Sequence, residues 1–389
     1  MTASRKKIVF ISHDASLTGA PILLFQLIKL LVKQDLFDIR ILLYRGGTLE
    51  DTFKATAPTL ILKSAGYNKE KRLIPRIWNY LRYRVQLRKA FEVAGQADIL
   101  FCNTLATGPL LKEFHTLHKP VVTYVHELGS VIHELDKDGG ASFVLSNSTH
   151  FIAPSEAVSK NLMEHHGIPA GKLSFLNYFL TPPDLTGASR AEIRQRFFLQ
   201  WNIPWDKLYV VGMGITTFRK GIDLFLAIAR ETYRHTQDAH FIWIGDYEHE
   251  ESRQQIFKKI AEYELSDRVT MTGKLPYSPA TLIPFDLLAL TSREDPYPLV
   301  MIEAAYAGVP TLCFDNTGGA AEFTADECGW AIPGNSVEQF AATILSLCKH
   351  RTEIAARGAK ARKKALMKHA GETLILQQFT GIIRKVLNK

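Results

Sequence analysis

Short apolar runs and longer amphipathic ones take turns along the chain. Ile8 to Ser12, Ile39 to Tyr44, Ile99 to Phe101, Val121 to Val125 and Phe151 to Pro154 have the length and β-branched or aromatic character of strands. Ile22 to Val32 repeats its apolar positions with a helical period. Strand and helix in alternation predict a parallel sheet covered on both faces. Ser155 stands just before a helical run, as a residue that caps a helix start does. The rhythm breaks at Thr181-Pro182-Pro183-Asp184, at Thr186-Gly187 and at Ile203-Pro204-Trp205-Asp206, with a short charged helix between. It then resumes, with strands at Leu208 to Met213, Phe241 to Ile244, Val269 to Thr272, Leu287 to Thr291 and Thr311 to Phe314. Helices are predicted at Gly221 to Tyr233, Ser252 to Tyr263, Leu299 to Ala307 and Ser336 to Lys349.

This reading divides the chain into an N-terminal α/β domain over 1–180, a linker over 181–206, a C-terminal α/β domain over 207–370, and a last helix over 371–389 that crosses back to the N-terminal domain. At 389 residues the chain is long enough for two such cores. Ligands of open α/β sheets bind beyond the carboxyl ends of the strands, so functional residues are sought just after strands.

Composition narrows the class only modestly. With 46% hydrophobic and 22% charged residues the chain is an ordinary globular one. Its four cysteines, Cys102, Cys313, Cys328 and Cys348, are too scattered for a zinc or redox motif, which points to a reduced, cytosolic setting. The basic start is followed by an apolar run of strand length only, and no stretch approaches the roughly 20 apolar residues of a membrane span. The net charge of +8 is unevenly spread. Between Lys69 and Lys89 eight Lys or Arg face one acid, Glu70, and Ile74, Ile77, Trp78, Leu81 and Val85 recur at helical spacing. Residues 69–89 thus read as a basic amphipathic helix, which either packs its apolar face on its own domain or lies on an anionic membrane surface. Nucleic acid is not an expected partner.

The richest segment runs from Ser292 through Arg293-Glu294-Asp295-Pro296-Tyr297-Pro298-Leu299-Val300 to Glu303-Ala304, directly after a strand. A helix beginning near Leu299 directs free N–H groups toward a phosphate, and Asp295 and Glu303 flank it with carboxylates that accept hydrogen bonds from sugar hydroxyls. Arg219-Lys220-Gly221 places two cations at a helix start, where the macrodipole disfavours them unless an anion is bound. Gly273-Lys274, Gly318-Gly319 and Gly19-Ala20-Pro21 follow strands and let a ligand approach the backbone, and His126 ends a strand. Asp136-Lys137-Asp138 has the spelling of a metal motif but lies in a polar, loop-like stretch, so no metal is expected. Gly212-Met213-Gly214 lacks the third glycine of a dinucleotide fingerprint, so no redox cofactor is expected either.

Taken together, Arg219-Lys220-Gly221, the Asp295 to Glu303 segment with Gly308-Val309-Pro310, Gly318-Gly319 with Glu322, Ser155-Glu156-Ala157-Val158 and His126 resemble the retaining GT-B glycosyltransferases of the bacterial group 1, family 4-like class. The resemblance runs from about Ile8 to Lys349. It implies two Rossmann-like domains facing each other across a cleft, and transfer of a sugar with retention from a UDP- or GDP-sugar to a glycan, lipid-linked or small-molecule acceptor. It implies that Arg219 and Lys220 hold the donor diphosphate, that Glu303 holds the ribose hydroxyls, and that Asp295 touches the transferred sugar. His126 matches a histidine near the reacting sugar, Gly19 a phosphate-facing loop, and Gly273 and Lys274 the loop bordering the nucleobase. Asp295 stands where the family usually has glutamate, and Ile215 where many relatives have arginine. Pro296 and Pro298 stand where glycine is frequent, leaving Tyr297, Leu299 and Val300 as the backbone donors. Two rival readings are a sugar-nucleotide epimerase on the same fold and an inactive sugar-nucleotide-binding or membrane-docking protein. The expected place of work is the cytoplasm, with peripheral attachment to the inner face of the membrane.

Overall fold

The structure, a computed structural model, describes residues 5–65, 73–184, 189–276, 278 and 280–388. Two compact units emerge: Met1–Leu180 with Gly371–Lys389, and Thr181–Ala370. Each is a Rossmann-like α/β unit built on one parallel sheet.

The N-terminal sheet contains β1 (Lys7–Ser12), β2 (Asp38–Arg45), β3 (Thr59–Lys63), β4 (Ile99–Asn103), β5 (Val121–Tyr124), β6 (His150–Ala153) and β7 (Leu173–Phe175), in the order β3-β2-β1-β4-β5-β6-β7. The C-terminal sheet contains β8 (Leu208–Met213), β9 (Ala239–Ile244), β10 (Val269–Gly273), β11 (Leu287–Leu290), β12 (Thr311–Phe314) and β13 (Gly329–Ile332), in the order β10-β9-β8-β11-β12-β13. In both, the first strand sits centrally and the order reverses beside it, between β1 and β4 and between β8 and β11. That reversal opens a crevice at the carboxyl ends.

Burial explains the strand sequences. The residues of β4, β5, β6, β9, β11 and β12 are buried throughout, as expected for strands covered on both faces, and they read as continuous apolar runs. The edge strands β3, β7 and β13 are less apolar and were not anticipated from the sequence.

The helix Glu372–Leu387 belongs to the N-terminal unit. Its Phe379 is fully buried, with ring centroids 6.2 Å from Phe10, 5.8 Å from Phe37 and 5.8 Å from Phe101. Within the stretch read as linker, the helix Arg190–Trp201 starts with a capping box of Ser189 and Glu192. Its Arg194 donates to the carbonyl of Pro284 and the carboxylate of Asp286, and its Phe197 meets Phe285 edge to face. This helix is therefore docked on the C-terminal unit.

Candidate functional site

The C-terminal unit gathers its charged residues where the loops after β8 and β11 meet. Gly221 makes the approach possible. Its φ is +70°, and a Cβ there would lie 1.9 Å from the carbonyl oxygen of Thr291; only glycine fits. The Thr291 hydroxyl donates back to the Gly221 carbonyl at 2.9 Å. Two further bonds stitch the loops: Arg293 N–H donates to the Arg219 carbonyl at 2.8 Å, and Arg219 Nη1 donates to the Glu294 carbonyl at 2.7 Å. Lys220 Nζ forms an ion pair with Asp295. Arg293 grips Asp223 with both guanidinium nitrogens, at 2.8 and 2.6 Å, and lies 3.8 Å from the Phe218 ring. The Asp223 hydrogen bonds raise the Arg293 pKa above its usual value.

A second seam joins the β11 loop to the loop after β12. Asp295 N–H donates to the Thr317 carbonyl at 2.7 Å, Asp295 bridges to Gly318, and Gly319 N–H donates to Pro296 at 3.1 Å. Pro298 then caps the helix Leu299–Tyr306, whose first turn holds no acid. Leu299 and Val300 lie in that turn, where backbone N–H groups have no helical acceptor. Asp295 and Glu303 are each only 7% exposed. Two carboxylates so withdrawn from water need cations and donors around them, and Lys220 supplies the first to Asp295. Tyr297 faces inward instead: its ring is buried and its hydroxyl lies 3.1 Å from His369 Nε2, so burial raises its pKa. Tyr297 thus anchors the turn through its side chain. Gly273 ends β10 with a φ of +67° and open space around its Cα, and Lys274 beside it is exposed. The structure sets Arg219 and Lys220 against Glu294 and Asp295, from which the chain runs through Tyr297 into the helix bearing Leu299, Val300 and Glu303, while Gly273 and Lys274 lie at a separate strand end.

The N-terminal unit has a different character. Gly19 opens the exposed start of the helix Gly19–Lys33. His126 follows β5 with both ring nitrogens engaged: Nε2 is 3.0 Å from Asn103 Oδ1, and Nδ1 is 2.9 Å from the Tyr178 hydroxyl. Asn103 uses its amide N–H on the Ala20 carbonyl. Its oxygen is therefore left to accept from Nε2–H, and Nδ1 accepts from Tyr178. Burial, reinforced by His13, pushes the His126 pKa down to about 3. The imidazole is thus held neutral as an oriented group, with no nitrogen left over to shuttle protons.

Sequence reasoning passed over two neighbours. Glu127 is buried and accepts from the N–H groups of His126 at 2.8 Å and Leu105 at 3.2 Å; burial dominates and pushes its pKa up to about 7. Thr104, at the end of β4, has a φ of +91°, a strained conformation for a β-branched residue. The adjacency of Glu127 to His126 was the one available signal. Asp136 and Asp138, which have a metal motif's spelling, accept from Ser142 and Gly140 and so secure the start of the helix Gly140–Asn147.

Comparison with known proteins fits this division. The model of glycosyl transferases group 1 matches residues 193–364, and that of Glycosyltransferase Family 4 matches residues 18–177. The alpha-D-kanosaminyltransferase of Streptomyces kanamyceticus is 30% identical over 135 residues, 34% of this chain and 33% of that protein. The GDP-mannose-dependent alpha-(1-6)-phosphatidylinositol monomannoside mannosyltransferase of Mycobacterium tuberculosis is 27% identical over 198 residues, 48% of this chain and 49% of that protein. These matches span a third to a half of the curated relatives' length. The crystal structure of HepE from Anabaena in complex with UDP and glucose superposes with a TM-score of 0.78 at 16% identity, covering 97% of this chain and 99% of that one. The two parallel-sheet units are those of the GT-B fold.

Proposed function

We propose that this chain, whose C-terminal unit matches the glycosyl transferases group 1 and whose N-terminal unit matches Glycosyltransferase Family 4, is a glycosyltransferase that moves a sugar from a UDP- or GDP-sugar to a glycan, lipid-linked or small-molecule acceptor. Transfer proceeds with retention and without a metal. The observation that carries this reading is the pairing of Lys220 with the nearly buried Asp295, and of Arg219 with the carbonyl of Glu294, just before the helix Leu299–Tyr306, which itself carries the nearly buried Glu303. Cations and free N–H groups suit a diphosphate; adjacent acids suit hydroxyl groups.

In this mechanism the incoming diphosphate takes over Lys220, shared with Arg219 and the N–H groups of Leu299 and Val300. Asp295 then turns its carboxylate to the transferred sugar, and Glu303 accepts from the ribose hydroxyls. Breaking the bond between the anomeric carbon and the phosphate oxygen leaves its electron pair on the nucleoside diphosphate, where the same cations stabilise it. The acceptor oxygen bonds to the carbon on the face being vacated, and its proton passes to the departing phosphate. No enzymic nucleophile is required. The neutral His126 in the N-terminal unit serves as a positioning group near the reacting sugar, and Gly19 leaves room for phosphate. Gly273 and Lys274 border the nucleobase.

The name of the mycobacterial relative describes a phosphatidylinositol-based acceptor, which supports a lipid-linked acceptor here; on this reading the chain works at the inner face of a membrane. Among the described residues no helix is long and apolar enough to cross one. Incubation with UDP-, GDP- and ADP-sugars tests the proposal. Slow donor hydrolysis, or transfer to an added acceptor, is expected. Epimerisation alone, or binding with no turnover, overturns it.

A further inference from the structure

We infer that the outward face of the helix Leu73–Gly95 is a docking surface for an anionic lipid bilayer. The sequence alone left open whether its apolar residues pack on the N-terminal unit. The structure turns them the other way: Ile77 is 51% exposed, Trp78 69%, Leu81 50% and Val85 55%. The residues that fasten the helix are different ones. Leu87, Ala90 and Ala94 are buried in the unit's core, and Tyr83 packs against it with Lys63 Nζ 4.8 Å from its ring. At 3.6 residues per turn the four exposed residues share a narrow arc of the helix, roughly 100° wide, diametrically opposite these buried ones. Lys69, Glu70, Lys71 and Arg72, at the start of the basic stretch, lie outside the described residues.

An exposed stripe holding a tryptophan and three large aliphatic residues is not what a solvated helix presents. Here it is flanked by charge of one sign. Arg82, Arg84, Arg88 and Lys89 are all exposed, and no acid occurs from Leu73 to Phe91. Glu92, the helix's one acid, has its carboxylate 3.6 Å from Arg88. Apolar residues along the middle, with Arg84 on one flank, Arg82 and Lys89 on the other and Arg88 one turn past Ile77, Leu81 and Val85 on the same arc, form the pattern of a helix lying in a membrane interface. The indole and aliphatic groups enter the headgroup boundary, and the guanidinium groups reach lipid phosphates. Charge complementarity selects the occupant. A second copy joined through the same face would set these arginines against their own counterparts, whereas an anionic leaflet attracts every one of them.

This inference deepens the lipid-linked acceptor reading and rests on it for its purpose, yet docking requires no turnover. A failure here therefore leaves the donor site untouched, and a failure there leaves the helix face untouched. The test is co-sedimentation of the full chain with vesicles of phosphatidylcholine alone or with phosphatidylglycerol added. Binding is expected only with the anionic lipid and is weakened by salt. Trp78→Ser with Leu81→Ser lowers the bound fraction at least tenfold, by loss of apolar insertion. Arg84→Gln with Arg88→Gln weakens partitioning about 25-fold, roughly fivefold for each charge removed. Unchanged thermal midpoints show that both variants fold. Equal recovery with neutral and anionic vesicles, or wild-type binding by both variants, overturns the inference. So does a wild-type dimer in sedimentation velocity that the Trp78/Leu81 variant loses while neither form binds vesicles.

Discussion

The two units share one strand order but arm their carboxyl ends in opposite ways. In the C-terminal unit the loops after β8 and β11 are joined by formal charges: Lys220 to Asp295, Arg293 to Asp223, and Arg219 to a backbone carbonyl. In the N-terminal unit the ends of β4 and β5 are held by hydrogen bonds instead, with His126 between Asn103 and Tyr178 and Glu127 under two backbone N–H groups. On the proposed function, one scaffold divides labour between its two copies. A charged cluster can trade one anion for another, which suits a diphosphate that arrives and leaves. A neutral network offers fixed hydrogen-bonding directions, which suits a hydroxylated acceptor and sugar.

Breaking the charged side has the largest expected effect. Lys220→Ala removes a cation from the leaving group and strands Asp295 without its partner. A fall in kcat of about 10²- to 10³-fold is expected in a donor-hydrolysis assay, and wild-type turnover would dissolve the contrast. The neutral side yields to pH. Folding raises the Glu127 pKa from 4.5 to about 7, so the folded state holds a proton that the unfolded state has released. This group therefore costs stability increasingly as pH rises from 4.5 to 7, on the order of 3 kcal/mol at 1.36 kcal/mol per pH unit. His126 works in the other direction: with a folded pKa of about 3 against 6.5, it costs stability as pH falls from 6.5. Urea unfolding of Glu127→Gln at pH 4.5 and pH 7 should show the variant gaining on the wild type toward pH 7. A constant difference would mean that the carboxyl is not held neutral.

Finer distinctions follow within the C-terminal cluster. Glu303→Ala should raise the donor KM by about 10- to 100-fold, the worth of hydrogen bonds to a charged acceptor. Asp295→Ala should instead act mainly on kcat. If the two variants behave alike, the division into a ribose acid and a sugar acid fails. Smallest of all, Tyr297→Phe removes one buried hydroxyl from His369, and thermal unfolding should show a loss of about 1 kcal/mol.

Much of this was legible in the residues. Continuous apolar runs such as Phe241 to Ile244 and Thr311 to Phe314 signal strands covered on both faces, and repeated alternation with helices gives the fold class. Cations at a helix start, as at Arg219-Lys220, stand out because they oppose the local dipole. Other features resist reading along the chain. The edge strands β3 and β13 are short and half-exposed, so neither their pattern nor their length separates them from loops. Glu127 looks like any strand-end acid, since its neutrality comes from burial by segments distant in sequence. The apolar period of the basic helix was visible, but a period does not say which way it points; burial of Leu87, Ala90 and Ala94 settles that.

Phe379 has a consequence for biosynthesis. The aromatic cluster under β1 and β4 closes only when this ring, from a helix that follows the entire C-terminal unit, is supplied. On the ribosome, residues 1–180 emerge first yet must wait with Phe10 and Phe101 partly uncovered. Residues 181–370 form an uninterrupted stretch that can finish folding meanwhile. The half translated earlier is thus completed later, and a nascent chain stalled before Gly371 would present its own unfinished core to chaperones.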